Sequence, residues 1–283
     1  MTTDAIPTAV VPSRPAWHGL LWTVPFTVLW GWLIYWQPVL VEGGFPAMAA
    51  RLMSYGLIAL GLWFGLEAAD LTPGQRRATW LAIMVPFTLW AAAAWTAAIN
   101  GVFRTGFSPL PLLPAAIFLP VIVGTPLLLM SERAGQVLDA MPTTWLVALQ
   151  LYRALGVQWL AYWMRGLLPS IFAFPAGTGD VLTGLFALPV AIAVAAGTAK
   201  GRRTAILWNV FGLVDFAVAI ALGMITSPGR FQLIVPDINI PSIGVDAFPN
   251  VLTPAFVVPS SILLHVLSLR QLRRRGRAES ARR

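Results

Sequence analysis

The chain reads as long apolar stretches separated by short polar or basic connectors, and stretches of about 20 apolar residues are what an α-helix needs to cross a bilayer. Eight such spans are expected: Ala16 to Pro38, Pro46 to Ala69, Arg76 to Val102, Leu110 to Met130, Thr143 to Leu168, Gly179 to Ala199, Thr204 to Thr226 and Val251 to Leu269. The fold class this predicts is all-α, a polytopic integral membrane helix bundle. Residues 1–15, polar and proline-rich, read as a short disordered cytoplasmic arm without a cleavable signal. Residues 16–270 read as one transmembrane domain, and 271–283 as a basic tail.

The arrangement of basic residues tests the count independently, because cytoplasmic loops collect Lys and Arg. With the N-terminus inside, the inner face receives Arg14, Arg76, Arg77, Arg133, Lys200, Arg202, Arg203 and the seven arginines between Arg270 and Arg283. The outer face receives only Arg51, Arg104, Arg165 and Arg230. Eight spans with both termini cytoplasmic, in a bacterial inner membrane, is therefore the expected topology.

The fifth span, TTWLVALQLYRALGVQWLAYWMRGLLP, is the one that departs from a plain apolar helix, since it carries Gln150, Arg153, Gln158 and Arg165. On a wheel of 100° per residue these share one half with Val157 and Ala161, while Tyr152, Gly156, Trp159, Leu160 and Trp163 occupy the other. A guanidinium among acyl chains is costly, so the polar half is expected to face the bundle interior and the aromatic half lipid. Counted by helical rise, Arg153 and Asp215 of the seventh span fall at matching depth near midplane. An ion pair between them follows.

Asp215 shares a face with Gly212, Ala219 and Gly223, small residues that let helices approach closely. Ser261, His265 and Ser268 form a polar stripe on the last span. Gln150, Arg153, Asp215 and His265 are thus expected to line one inward-opening cavity, a path for substrate or protons. A second, outer site is read from Arg165, Asp180 and Asn209, with Tyr162 near it. There Arg165 pairs with Asp180, and Thr178 or Asp180 caps the sixth span after the turn Pro175-Ala176-Gly177-Thr178-Gly179.

Prolines inside spans, at positions 25, 86, 120, 126, 189 and 259, kink helices and suit either motion or static packing. The motif Val24-Pro25-Phe26-Thr27 returns 61 residues later as Val85-Pro86-Phe87-Thr88, a candidate duplication within biased composition. Ser131 to Asp139 reads as a short interfacial helix capped by Ser131. Ser227 to Asn250, apolar and broken by prolines, reads as a strap over the outer mouth.

Composition supports the membrane reading, with 58% hydrophobic and 11% charged residues and a mean hydropathy of +0.75, against roughly 25% charged in a soluble domain. No cysteine is present, which excludes disulfides, thiolate metal sites and a cysteine nucleophile. The two histidines are too few for multi-haem ligation, and the single lysine, Lys200, lies in a charged loop, which excludes a retinal Schiff base. Zincin, Walker and prenyl-diphosphate motifs are absent. No cofactor, no metal and no nucleic acid are expected; the partners are the bilayer itself, anionic lipids at the basic tail and a small-molecule substrate. The leading function is a small-solute or ion/proton-coupled permease. A membrane-embedded enzyme or lipid-binding protein acting on an amphipathic substrate, and an assembly subunit docked through Trp159 and Trp163, remain as alternatives.

Overall fold

The computed structural model describes residues 45–104, 107–236 and 245–281. Every regular element among the described residues is helical. In chain order they are α1 (Phe45–Ala68), α2 (Pro73–Ile99), α3 (Leu112–Met130), the short α4 (Glu132–Ala140), and α5 (Thr143–Ala148), which passes through a 3-10 stretch (Leu149–Gly156) into α6 (Val157–Met164). Then come α7 (Ser170–Ala195), α8 (Ala199–Thr226), a π-helical turn (Thr253–Val257) and α9 (Val258–Ala281).

Among the described residues, five stretches are long and apolar enough to cross a membrane: α2, α3, α7, α8 and residues 253–277. That is the mark of a membrane protein. The expected first span, Ala16 to Pro38, the N-terminal arm and the first copy of the Val-Pro-Phe-Thr motif lie outside the described residues.

Side chains cap several helices, at Ser131 as expected and at Thr72 and Thr198 in addition. Thr72 Oγ1 accepts from Gln75 N while Gln75 Oε1 accepts from Thr72 N, a reciprocal box at the start of α2. Ser131 receives Ala134 N and Thr198 receives Gly201 N. Pro86 is accommodated within α2, and its neighbour Phe87 joins Tyr55, Trp90 and Phe256 in an aromatic cluster that ties α1, α2 and the π turn together.

Two elements depart from expectation. The sixth span begins at Ser170 rather than Gly179, so Pro175, Gly177, Gly179 and Asp180 are helix interior and not a turn. Glycine and proline normally signal a turn, yet membrane helices tolerate both, and these small residues serve close packing: a methyl on Gly177 would lie 2.8 Å from Leu160 Cγ.

The fifth span is the second departure, because its centre is wound as a 3-10 helix. Three residues per turn bring Gln150, Arg153 and Gly156 into one line instead of spreading them around a wheel. The segment also packs chiefly against α7, with α1 beside it. Tyr152, Gly156 and Trp159, expected to face lipid, are accordingly buried, and only Trp163 of that aromatic half is well exposed.

The bundle has two unlike ends. At one, α4 packs on the end of α9, where Gln271 donates to the carbonyl of Met141 at 2.7 Å and Arg274 pairs with Asp139 at 3.0 Å. This basic end also carries Arg133, Lys200 and Arg202, and α9 continues through the arginine-rich stretch instead of stopping at Leu269. The opposite end holds the α2–α3, α6–α7 and α8–π connections.

The 3-10 stretch packs against α7 through Gly184, where an added methyl would fall on the backbone of Ala154. Gly184→Ala is therefore expected to lower stability by about 1–3 kcal/mol through overpacking. Gly56→Ala, with nothing within 4 Å, is expected to be neutral or to gain up to roughly 1 kcal/mol of helix propensity. Thermal unfolding followed by tryptophan fluorescence distinguishes the two.

Candidate functional site

Arg153 sits on the inward line of the 3-10 stretch with 3% of its surface exposed. A guanidinium presents its N–H donors from three nitrogens in a rigid plane, and each nitrogen meets an acceptor. Nε donates to Asp180 Oδ1 at 2.8 Å. Nη2 lies 2.8 Å from the same oxygen and also donates to Asp215 Oδ2. Nη1 faces the carbonyl of Gly212 at 3.3 Å and His265 Nε2 at 3.1 Å, and the guanidinium carbon stands 3.7 Å over the ring of Phe216.

Asp180 comes from α7, ~15 Å below its first residue at 1.5 Å per residue. Asp215 and Gly212 come from the facing side of α8, and His265 from α9. Three elements thus converge on one side chain carried by a fourth, and glycines supply the room. A methyl on Gly179 would overlap the carboxylate of Asp215, and one on Gly212 would stand 2.6 Å from the imidazole and 2.9 Å from Arg153 Nη1. This is the close approach that the small-residue face of α8 implied.

The tautomer of His265 follows from its neighbours. Asn209 Nδ2 donates to the carbonyl of Ala205 at 2.8 Å and to Ser268 Oγ at 3.1 Å, which turns its amide oxygen toward His265 Nδ1 at 2.8 Å. Nδ1 is then the donor and Nε2 the acceptor for Arg153, so the imidazole is held neutral. A buried polar column adjoins this centre: Gln150, Asn209, Ser261, His265 and Ser268 are each at most 1% exposed. Gln150 Nε2 donates to the carbonyl of Ser261 at 3.1 Å, and Tyr152 hydrogen-bonds to Ser261 through the two hydroxyls.

Among the described residues the large cavity lies toward the end away from the basic loops, whereas the expectation was a cavity opening toward the basic side. A cavity of about 690 Å³ lies among the outer halves of α3, α7 and α8. Its walls include Leu113, Ile117, Phe172, Ala219 and Met224, and its floor Trp159, Asp180, Phe216 and Thr253. Arg104, Arg230 and Asp246 also line it, on the connections at that end. A small cavity of about 40 Å³ adjoins it across Asp180, Phe216 and Thr253, lined also by Arg51, Ser54, Tyr152, Arg153 and Ser261.

Arg153, Asp215 and His265 are brought into contact, with Gln150 next to them through Ser261. The outer site read from Arg165, Asp180 and Asn209 is not assembled. Arg165 is exposed at the end of α6, Asn209 binds His265, and Asp180 pairs with Arg153, because the early start of α7 carries it down to Arg153. Tyr162 meets Asn250 instead, with Nδ2 donating to its hydroxyl at 3.0 Å.

Sequence reasoning missed Arg51, which is 5% exposed and donates to Gln158 Oε1 at 3.3 Å and Asn250 Oδ1 at 2.9 Å. Its position six residues into a predicted span was the available signal. Trp159, half of the aromatic face on which an assembly subunit would dock, is buried within the chain at 4% exposure.

These features define a helical membrane protein with a buried, hydrogen-bonded charged centre. Residues 129–273, just over half of the chain, match a family described as a domain of unknown function (DUF8737), and the chain belongs to that family. The matched stretch holds Arg153, Asp180, Asp215 and His265, whereas Arg51 lies outside it. No curated protein and no solved structure matches the chain.

Removing Arg153 leaves two carboxylates without a counter-ion, so Arg153→Ala is expected to cost about 3–5 kcal/mol. Arg153→Lys keeps the charge but offers a compact ammonium in place of a planar fork, and is expected to recover less than half of that. Asp215→Asn leaves the Asp180 pair in place and is expected to cost about 1–3 kcal/mol. Thermal unfolding of the purified variants in one detergent gives the ranking.

Proposed function

We propose that the chain is a permease of the bacterial cytoplasmic membrane, in which a small solute enters from the non-basic end and meets Asp180, Arg153 and Asp215. One observation carries the reading. The charged centre is joined to one end of the bundle by a cavity and closed from the other by fully buried side chains, the arrangement expected of a carrier open to one side. Ionisable groups held inside a membrane commonly mark the pathways of solutes or ions. The 3-10 stretch that carries Arg153 is a conformation often met at hinges, and its exchange with α-helix would move Arg153 relative to Gln150 and Gly156.

The apolar walls also favour a second reading, a membrane-embedded enzyme or lipid-binding protein that takes an amphipathic substrate from the bilayer. The two differ in whether solute crosses. In proteoliposomes loaded with a pH-sensitive dye, benzyltrimethylammonium, phenylalanine or benzoate is placed outside, and internal pH and solute content are followed. The permease reading expects protein-dependent movement of at least one of these, lost in Asp215→Asn. Movement no faster than in protein-free liposomes for all three, from protein that remains folded, removes it.

A further inference from the structure

We infer that the large cavity binds an organic cation, a monovalent ammonium or phosphonium group on an apolar body, with its charge against Asp180. This rests on the permease reading for the route of the solute, but the binding site stands on the cavity alone.

Three observations converge. First, the floor of the cavity offers a carboxylate and no spare cationic donor. All three nitrogens of Arg153 are already engaged by Asp180, Asp215, Gly212 and His265, so an anionic head reaching the floor would find no free cation there, only the Thr253 hydroxyl, and would meet Asp180 instead. Second, Asp180 and Asp215 share one guanidinium. A second cation at Asp180 would let each carboxylate hold its own partner, with Arg153 retained by Asp215 and the neutral His265 unchanged.

Third, the surfaces beside Asp180 are aromatic and apolar. Trp159, Phe172 and Phe216 line the cavity with it, and aromatic faces attract cations, above all poorly hydrated quaternary ones. A hard divalent ion is disfavoured by the same walls, since it needs six or more oxygens and meets one carboxylate. The volume of about 690 Å³ falls in the usual range for pockets that enclose drug-sized molecules. Arg104 and Arg230 lie on the connections at the mouth, where Asp246 offsets part of their charge and water hydrates them. An anionic amphiphile seated on those two arginines is the competing occupant, and its chemistry is the mirror image of the one inferred.

The test uses tetraphenylphosphonium and tetraphenylborate, ions of matching shape and opposite charge. The full chain is placed in phosphatidylcholine nanodiscs, and binding is read by calorimetry and by quenching of tryptophan fluorescence, with empty nanodiscs subtracted. Saturable one-to-one binding of the cation is expected, with the borate neither binding nor competing. Asp180→Asn is expected to weaken the cation by about tenfold or more, while Asp139→Asn, the same charge change at the basic end, leaves it unchanged.

Should Asp180→Asn fail to fold, Ala219→Trp fills the cavity without touching the ion pairs and is expected to abolish binding. Borate binding as tight as that of the cation, no saturable cation binding by folded protein, or unaltered binding in either variant overturns the inference. Cation binding without flux in proteoliposomes leaves the site standing and removes the permease reading. Flux without cation binding that depends on Asp180 does the reverse.

Discussion

A charged guanidinium in the middle of an apolar bundle dictates the arrangement of the three helices around the stretch that carries it. Stripping Arg153 of water costs several kcal/mol that only close opposite charges and a complete set of hydrogen bonds can offset. Two carboxylates, a backbone carbonyl and an imidazole provide them. For those groups to reach one side chain, α7 and α8 must come within a few ångströms of the 3-10 stretch. Glycines at 179, 184 and 212 are what permit it, and a methyl at any of the three would strike the site or the backbone behind it.

The same interaction explains why this part of the chain is rigid in chemistry yet unusual in winding. An α-helical path would spread Gln150, Arg153 and Gly156 around the helix, whereas a 3-10 path aligns them. Gly156 then lies against Asp180, and Arg153 projects between the two aspartates. His265 contributes as a neutral acceptor because Asn209 holds its other nitrogen as a donor. The network from Arg153 through His265 and Asn209 to Ser268 is continuous as hydrogen bonds, but the amide of Asn209 and the guanidinium are poor proton carriers. It therefore anchors the centre toward the basic end, and communication with solvent falls to the cavity on the other side.

Arg51 forms a second buried cationic centre, held by Gln158 and Asn250 and bordering the small cavity together with Asp180. It ties the approach to α1 at one end and to the segment before the π turn at the other. With Arg51 included, two guanidinium groups and two carboxylates lie near the middle of the bundle. Arg153 and its two carboxylates neutralise one another, whereas Arg51 is held by the amide oxygens of Gln158 and Asn250, hydrogen bonding being the condition for keeping such groups out of water.

Much of this was legible in the residues. Helical class follows from apolar run lengths, the capped start of α4 from Ser131, the Arg153–Asp215 pair from depth counting, and the close helix approach from Gly212 on the face of Asp215. Such inferences need only local periodicity and the cost of isolated charge. The start of α7 was not legible, because Pro175, Gly177 and Gly179 act as turn residues in water and as packing residues between helices. That displacement carried Asp180 from an imagined pairing with Arg165 to Arg153, and it dissolved the outer site. Nor could a wheel at fixed pitch foresee the 3-10 winding that buried Tyr152 and Trp159, or the direction from which the centre is reached. The sequence by itself determined that charges would be buried and must pair. Only the tertiary structure decided which carboxylates met Arg153 and at which end a cavity was left open, since both depend on how helices distant in the chain pack against one another.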